Sequence, residues 1–417
     1  MEHAVRVERP RYQRILDSLR DTEQIKVIQG VRRCGKSTVL SLFRDRILAE
    51  GVPPCNVFYR RFDEFGLPLT QTAESLMHDL QQALEKSHQN SMAYVFLDEI
   101  QEVEGWERVV QRLHTRENTD IYLTGSNAHI LSSDLATLLS GRHVSIMVHP
   151  LSFEEYLAFS DAFGIHQNTE EYFAGYLKYG GMPSLFALRD RTDDNIVREL
   201  SAIMDTVVLN DVARRLNLRD IVLLQRLISY LFSTSGNLFS TNKVVGALSA
   251  ARRKTSSETV DNYIDALKKA YLIDEAPQTG LQGKELLSPL RKFYPVDTGL
   301  RNLTVGFSAE NTGFQLENVV YNELIRRGYT AKVGSLRVGE IDFVASRTDE
   351  RLYIQVSETV LDPTTREREL RPLRALSDSF PKIVLTLDRF GTGMTDDGIR
   401  IVNVIDWLLG NGSRDVR

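Results

Sequence analysis

Between Ile25 and Leu40 the chain reads IKVIQGVRRCGKSTVL: a short apolar run, two glycines separated by four residues, then Lys36, Ser37 and Thr38 at the head of a helical pattern. Gly30 and Gly35 reach backbone conformations that a Cβ obstructs, so the N–H groups between them can turn inward and cradle phosphate oxygens. A helix starting near Gly35 adds the positive end of its dipole beneath the same position. In this G-x-x-x-x-G-K-[ST] spacing Lys36 reaches the outer phosphates and the Ser37 hydroxyl ligates Mg²⁺. The expected cradle is therefore Gly30, Arg33, Cys34, Gly35, Lys36, Ser37 and Thr38. A glycine turn before a basic helix is the plain alternative.

Strand-like runs follow at Asn56–Phe62, Tyr94–Leu97, Asp120–Thr124 and His143–His149. Between them lie helical stretches such as Thr72–Lys86, where Leu76, Leu80 and Leu84 recur every fourth residue. This alternation predicts an α/β fold, a parallel sheet covered on both faces. Arg11–Arg20 reads as a helix whose Tyr12 is either a core aromatic or a ring stacked on an adenine. YVFLDEIQ ends an apolar strand in Asp98 and Glu99, placing two carboxylates where the phosphate loop of a neighbouring strand opens. Asp98 suits the Mg²⁺ shell and Glu99 suits polarising an attacking water. The next strand ends in Thr124-Gly125-Ser126-Asn127, which makes Asn127 the expected water-positioning residue and Ser126 the reserve. Arg142, closing the Leu139–Arg142 turn, is either a solvated loop residue or a finger reaching the γ-phosphate of a neighbouring subunit.

At 417 residues the chain exceeds what one hydrophobic core organises. A net charge of −5 argues against a generally basic nucleic-acid coat and leaves local patches open. Cys34 and Cys55 alone cannot make a disulfide framework, and MEHAVRVERP has no apolar leader core, so a cytoplasmic protein is expected. The apolar run IVLLQRLISYLF is interrupted by Gln225 and Arg226 and falls short of the roughly 20 residues that span a bilayer. No membrane partner is expected.

Taken together, GVRRCGKST, YVFLDEIQ, LTGSN, LSGR and HPLSFEEYL resemble the bacterial and archaeal branch of the AAA+ and STAND-related P-loop ATPases that carry a C-terminal domain of unknown function. The resemblance implies ATP and Mg²⁺ as cofactors, a P-loop NTPase core with a helical lid, and activity in a ring or other homo-oligomer, a hexamer being the expected size. The core then spans residues 1–150 and the lid 151–219. Ser152 and Glu155 make a capping box at the lid's first helix. Gly181-x-Pro183 resembles the lid motif that touches the nucleotide base in STAND-type ATPases, with a helix-breaking turn as the alternative.

Residues 220–296 look like a winged helix. Helices are expected over Ile221–Ser233 and Ser240–Ala250. A third follows the capping box Thr255/Glu258, with Val260, Tyr263, Ile264, Leu267 and Tyr271 inward and Thr259, Asn262, Ala266 and Lys269 outward. LIDEA and a return near Lys292–Tyr294 would be the wing. Arg252, Arg253, Lys254 and Lys269 are the expected phosphate contacts. Ten Lys/Arg against seven Asp/Glu between residues 221 and 300 make that footprint modest, and a structural spacer is the alternative.

From 297 to 417 the order of a helix carrying Glu317, a strand carrying Glu340 and Asp342, and a second strand resembles the restriction-endonuclease-like PD-(D/E)xK fold. Gln355-Val356-Ser357 stands where E-x-K is expected, so a metal ligand and the lysine are both missing. Glu317, Asp342 and Gln355 then mark a degenerate nuclease site, unless a lysine from elsewhere, such as Lys332, restores it. Arg366, Arg368 and Arg371 are candidate phosphate contacts on the next helix, with Glu367 and Glu369 favouring a solvated face.

The sequence thus predicts an ATP-hydrolysing AAA+ type protein that remodels or translocates DNA, duplex or branched, with Holliday junctions as the expected target. A STAND-like signalling switch and an ATP-regulated nuclease are the alternatives.

Overall fold

In the computed structural model Ile25–Gln29 forms β1, and Lys36–Ala49 forms the helix α2, preceded by α1 at Pro10–Leu19. The structure describes residues 5–64, 71–88, 91–125, 141–213, 218, 220–251, 255–280, 290–306 and 312–410. Residues 1–150 with 269–271 make one compact unit, and 151–268 with 272–417 the other.

In the first unit β1 joins β2 (Val57–Arg61), β4 (Ala93–Asp98), β6 (Thr119–Gly125) and β7 (His143–Met147) in an all-parallel sheet of order β2-β4-β6-β1-β7. Every residue of β1 and β4 is buried, as expected of parallel strands covered on both faces. Leu76 and Leu80 of α3 (Ala73–Glu85) and Val109, Val110 and Leu113 of α4 (Trp106–His114) fill one apolar cluster against Val95, Leu97, Ile121 and Leu123. Each such buried side chain contributes about 1.5–3 kcal/mol. Phe43 of α2 packs on Tyr122, which stacks on Phe96 at 4.8 Å. A short parallel pair, β3 (Gln71–Thr72) with β5 (Val103–Glu104), lies apart from this sheet. The one departure from expectation is strand order: β6 lies between β1 and β4, so the strand of Asp98 is not the immediate neighbour of the phosphate loop's strand.

The second unit opens with the helix Phe153–Ala162, whose Ser152/Glu155 capping box is formed in both directions. Helices follow at Thr169–Tyr179 and Asp193–Thr206, the latter running into π-helical turns over Val207–Ala213. Gly180 and Gly181 leave room for a buried carboxylate: a Cβ on Gly180 would sit 2.1 Å from Asp297 Oδ1. Gly181 N–H donates to Asp297 Oδ2 at 2.7 Å.

Helices at Ile221–Ser233, Thr241–Ala250 and Ser257–Lys269 precede β8 (Ile273–Thr279) and β9 (Arg291–Pro295), an antiparallel pair. The third helix is capped by Ser256, whose Oγ accepts from Thr259 N–H at 3.1 Å, and not by the expected Thr255/Glu258 box. Val260, Tyr263, Ile264 and Leu267 are buried as expected, whereas Ala266, expected outward, is buried with them.

The β8–β9 pair is not a detached wing. It forms one end of an eight-stranded sheet, order β14-β15-β13-β12-β11-β10-β8-β9, with β10 at Thr330–Leu336, β11 at Gly339–Arg347, β12 at Glu350–Ser357, β13 at Lys382–Thr386, β14 at Gly393–Met394 and β15 at Arg400–Asn403. Tyr321 of the helix Thr312–Arg326 stacks on Tyr294 of β9, with ring centres 4.2 Å apart. Leu370 and Leu373 of the helix Pro363–Arg374 cover Ile341, Tyr353 and Val384. The short helices Thr298–Val305 and Val404–Leu408 complete the unit.

Candidate nucleotide site

The loop after β1 has the backbone its glycines predict. Gly30 has φ +150°, and a Cβ there would lie 2.1 Å from Val148 O. Gly35 has φ +98° in the left-handed region and serves as N-cap of α2. Arg33, without a glycine's freedom, is held at φ 62°. Lys36 is buried, and its Nζ donates back to Gly30 O at 3.1 Å and Val31 O at 3.2 Å, with Glu99 Oε1 at 4.0 Å. The ammonium is thus parked on the loop's own carbonyls, inside the turn its phosphate partners would enter.

Asp98 is fully buried at the end of β4. Its Oδ1 accepts from Ser37 Oγ at 2.9 Å and from Thr124 Oγ1 at 2.5 Å, and its Oδ2 accepts from the Tyr59 hydroxyl at 3.1 Å. Burial raises the Asp98 pKa above the usual carboxylate range, and the Thr124, Ser37 and Tyr59 donors work against that rise. Thr124 also accepts from Glu99 N–H at 2.9 Å, which fixes the turn in which Glu99 adopts φ 55°. Gln101 Nε2 donates to Glu99 Oε2. Glu99, a non-glycine residue in a left-handed conformation at the end of the sheet, is where stored strain and function commonly coincide. A seryl hydroxyl and a carboxylate hydrogen-bonded to each other, beside a lysine and a second carboxylate, are the donor set that a Mg²⁺-bound triphosphate requires.

The family description "AAA domain" matches residues 22–157, and a domain of unknown function matches 170–311. An uncharacterized protein of Haemophilus influenzae is 38% identical over 403 residues, covering 97% of this chain and 98% of that protein. The uncharacterized protein MJ1544 of Methanocaldococcus jannaschii is 30% identical over 360 residues, covering 84% of this chain and 77% of that protein. The chain belongs to one family with these two proteins, and its residues 22–157 match the AAA domain. Among solved structures, a Walker-type ATPase of Pyrococcus abyssi aligns over 71% of this chain and 95% of its own at 16% identity, with a TM-score of 0.49.

One expected participant, Tyr12, stands elsewhere. Tyr12 is 2% exposed, its ring lies under the Arg9 guanidinium at 4.5 Å, and its hydroxyl accepts from His149 N–H at 3.1 Å, so it belongs to the core and presents no free face to a base. Arg9 in turn donates to Cys34 O and His149 O, both at 3.0 Å, which ties the loop to the chain's first helix. The Cys34 side chain is fully buried, which pushes its thiol pKa up. Arg142 is exposed just before β7, and its carbonyl accepts from Ile25 N–H at 2.8 Å. Pro183 opens a 3-10 turn, Pro183–Ala187, in the second unit. Asn127, Ser126, Arg252, Arg253 and Lys254 lie outside the described residues; Lys269 is exposed at its helix end. Tyr59, Thr124 and Gln101 were not singled out beforehand, and the only signal for Thr124 was its place at the end of an apolar strand.

The C-terminal acidic site is also assembled differently from expectation. Lys292 of β9, which is 2% exposed, places Nζ 2.7 Å from Glu340 Oε1, 3.0 Å from Glu317 Oε1 and 3.9 Å from Asp342 Oδ1. The Tyr294 hydroxyl donates to the same Glu317 oxygen at 2.6 Å. Burial works against the Lys292 charge, but Glu317, Asp342 and Glu340 outweigh it and hold its pKa above the ordinary lysine range. Burial and the Glu317 charge push Asp342 well above the carboxylate range. Gln355 Oε1 accepts from Asp342 N–H at 3.2 Å, and its Nε2 donates to Glu369 Oε2 at 3.1 Å, so Glu369 faces the sheet instead of solvent. The lysine of this cluster is therefore Lys292, not Lys332. Among the described residues no set of three or more His, Cys, Asp or Glu side chains is arranged to hold a metal ion.

Proposed function

We propose that the chain is a Mg²⁺-dependent ATP hydrolase that acts on DNA as a homo-oligomer. The observation that carries the hydrolase reading is the convergence of Ser37, Thr124 and Tyr59 on Asp98, beside Lys36 and Glu99. Lys36 would leave the carbonyls of Gly30 and Val31 for the outer phosphates, and the loop N–H groups with the α2 dipole would bind the rest of their charge. Ser37 and Asp98 would hold Mg²⁺, which when bound neutralises charge on the phosphates. Glu99, steadied by Gln101, would orient the attacking water and accept its proton. Asn127 and, from a neighbouring subunit, Arg142 complete the reading, with Pro183 offered to the base.

The DNA part is supported by the order of three helices and a strand pair over Ile221–Pro295, with basic residues 252–254 between the second and third helices. A ring, with six subunits as the expected number, follows from the family resemblance, and preference for branched junctions from a degenerate nuclease-like domain retained beside the ATPase core. Phosphate release from Mg·ATP tests the first claim. Gel shift at low salt with duplex, forked and four-way DNA, with and without ATP, tests the second; absence of binding to all three overturns it. The signalling alternative predicts retained ADP and no response to DNA. The nuclease alternative is kept open by Lys292, a lysine from elsewhere that stands among Glu317, Glu340 and Asp342, although Gln355 still replaces the second acid; it predicts Mg²⁺- or Mn²⁺-dependent cutting that Asp342→Ala abolishes.

A further inference from the structure

A pocket of about 450 Å³ opens on the sheet of the second unit, and its lining among the described residues includes Lys332 and Arg351 but no aspartate or glutamate. Its polar floor comes from two adjacent rows across three strands. Thr330, Ser346 and Arg351 are in register in one row, and Lys332, Val344 and Tyr353 in the next. The two cations stand at opposite corners of this plate, two strands and one row apart, or roughly 12 Å between their Cα atoms at ordinary strand spacing and rise. Both are exposed, and neither is ion-paired among the described residues. The Arg351 guanidinium rests over the Phe380 ring at 5.2 Å, which holds its plane.

A β-bulge at the end of the plate decides which side chain follows Val344 on this face. Register passes from Lys332↔Val344 to Gly334↔Ile341, so Asp342 and Phe343 both stand opposite Val333. Such an insertion re-aims side chains. Here Asp342 goes to the Lys292 cluster, while Ile341 and Val344 line the pocket. Gly334 is required at this point, because a Cβ would lie 2.9 Å from Ile341 Cβ. The carboxylate that regular alternation would set on the face of Val344 is thus turned away from the pocket, and among the described residues neither Lys332 nor Arg351 has an ion-pair partner.

We infer that this pocket binds a phosphate-bearing ligand of mononucleotide size, with Lys332 and Arg351 converging on the phosphate and the Thr330 and Ser346 hydroxyls donating to it. The volume lies in the range of small-molecule sites. Val344, Leu336 and Leu376 give an apolar wall beside the charged plate. The shared chemistry has two sources, a free nucleotide or the terminal nucleotide of a strand. This site goes beyond the hydrolase reading and does not depend on it, since none of its residues belongs to the phosphate loop.

The test uses the full chain carrying Lys36→Ala, which removes the phosphate loop's own affinity. Mant-AMP is compared with mant-adenosine by fluorescence, and a fluorescein-labelled DNA 12-mer with a 5′-phosphate is compared with its 5′-hydroxyl twin by anisotropy. The expected result is that at least one phosphorylated probe binds more tightly than its twin, and that Lys332→Glu with Arg351→Glu weakens it about tenfold or more, as loss of two charge-assisted contacts requires. Which probe responds identifies the source. Lys332→Arg, which keeps the charge, retains binding. Circular dichroism of the double variant is unchanged because both side chains are exposed. Equal affinity for phosphorylated and unphosphorylated probes, or phosphate-dependent binding indifferent to the double charge reversal, overturns the inference.

Discussion

In the proposed reading Lys36 serves nucleotide binding and Glu99 the chemical step. Lys36→Ala removes the cation that the loop offers to the outer phosphates, so mant-ATP binding is expected to be lost. Glu99→Gln keeps the shape and the Gln101 contact but lacks a base, so nucleotide binding persists while phosphate release slows by about 10²–10⁴-fold. Normal turnover in both variants would exclude the assigned roles. A second residue with a measurable signature is Asp297. It is fully buried, and burial raises its pKa to about 6, against the N–H groups of Gly181, Leu300 and Gly299 that favour its charge. A folded-state pKa above the unfolded value means that the stabilisation is complete below the unfolded pKa, near 4, and is lost as pH rises through about 6. Asp297→Asn cannot titrate. The gap in stability between wild type and this variant should therefore shrink by about 3 kcal/mol at most between pH 4 and pH 7. Urea unfolding at several pH values measures it, and a constant gap would refute the assignment.

At the scale of elements, the helix–strand order of the first unit was legible because each element carries its own signal: full burial for β1 and β4, fourfold spacing for α3, a glycine for the turn into α2. The insertion of β6 between β1 and β4 was not, because strand order depends on which elements pack together and leaves no local mark. That insertion is what brings Thr124 to Asp98. Lys292 escaped for the same reason: 25 residues separate it from Glu317 and 50 from Asp342, and only the placement of β9 beside β8, with β10 and β11 beyond, joins them. Its role can be tested. Lys292→Met leaves the largely buried Glu317 and Asp342 carboxylates, and the more exposed Glu340, without their cation, a loss of about 3–5 kcal/mol by analogy with other broken buried pairs. Adding Glu317→Gln should restore part of that stability, because one unpaired charge is removed. Additive losses in urea titrations would show that the ammonium does not serve Glu317.

The whole chain raises the question of how many folding units lie beyond residue 150. Composition and motif order divide that region at 219 and 296, whereas β8 is paired on one side with β9 and on the other with β10. Tyr294 stacks on Tyr321, Lys292 is held by Glu317, and Asp297 binds Gly181 N–H across 116 residues. A fragment ending at 296 would expose one edge of β8, strand the Lys292 ammonium in an apolar edge and leave Gly181 N–H unsatisfied. Each buried unsatisfied polar group costs about 1–3 kcal/mol, and a typical domain is stable by only about 5–15 kcal/mol. Residues 151–296 expressed alone are therefore expected to lack a cooperative thermal transition by circular dichroism, while 151–417 unfolds in one. A sharp transition in the shorter fragment would mean that the three helices and the β8–β9 pair form a self-sufficient winged helix. The sheet would then be a later association of two stable pieces, and the Lys292 cluster would join them without being needed to fold either.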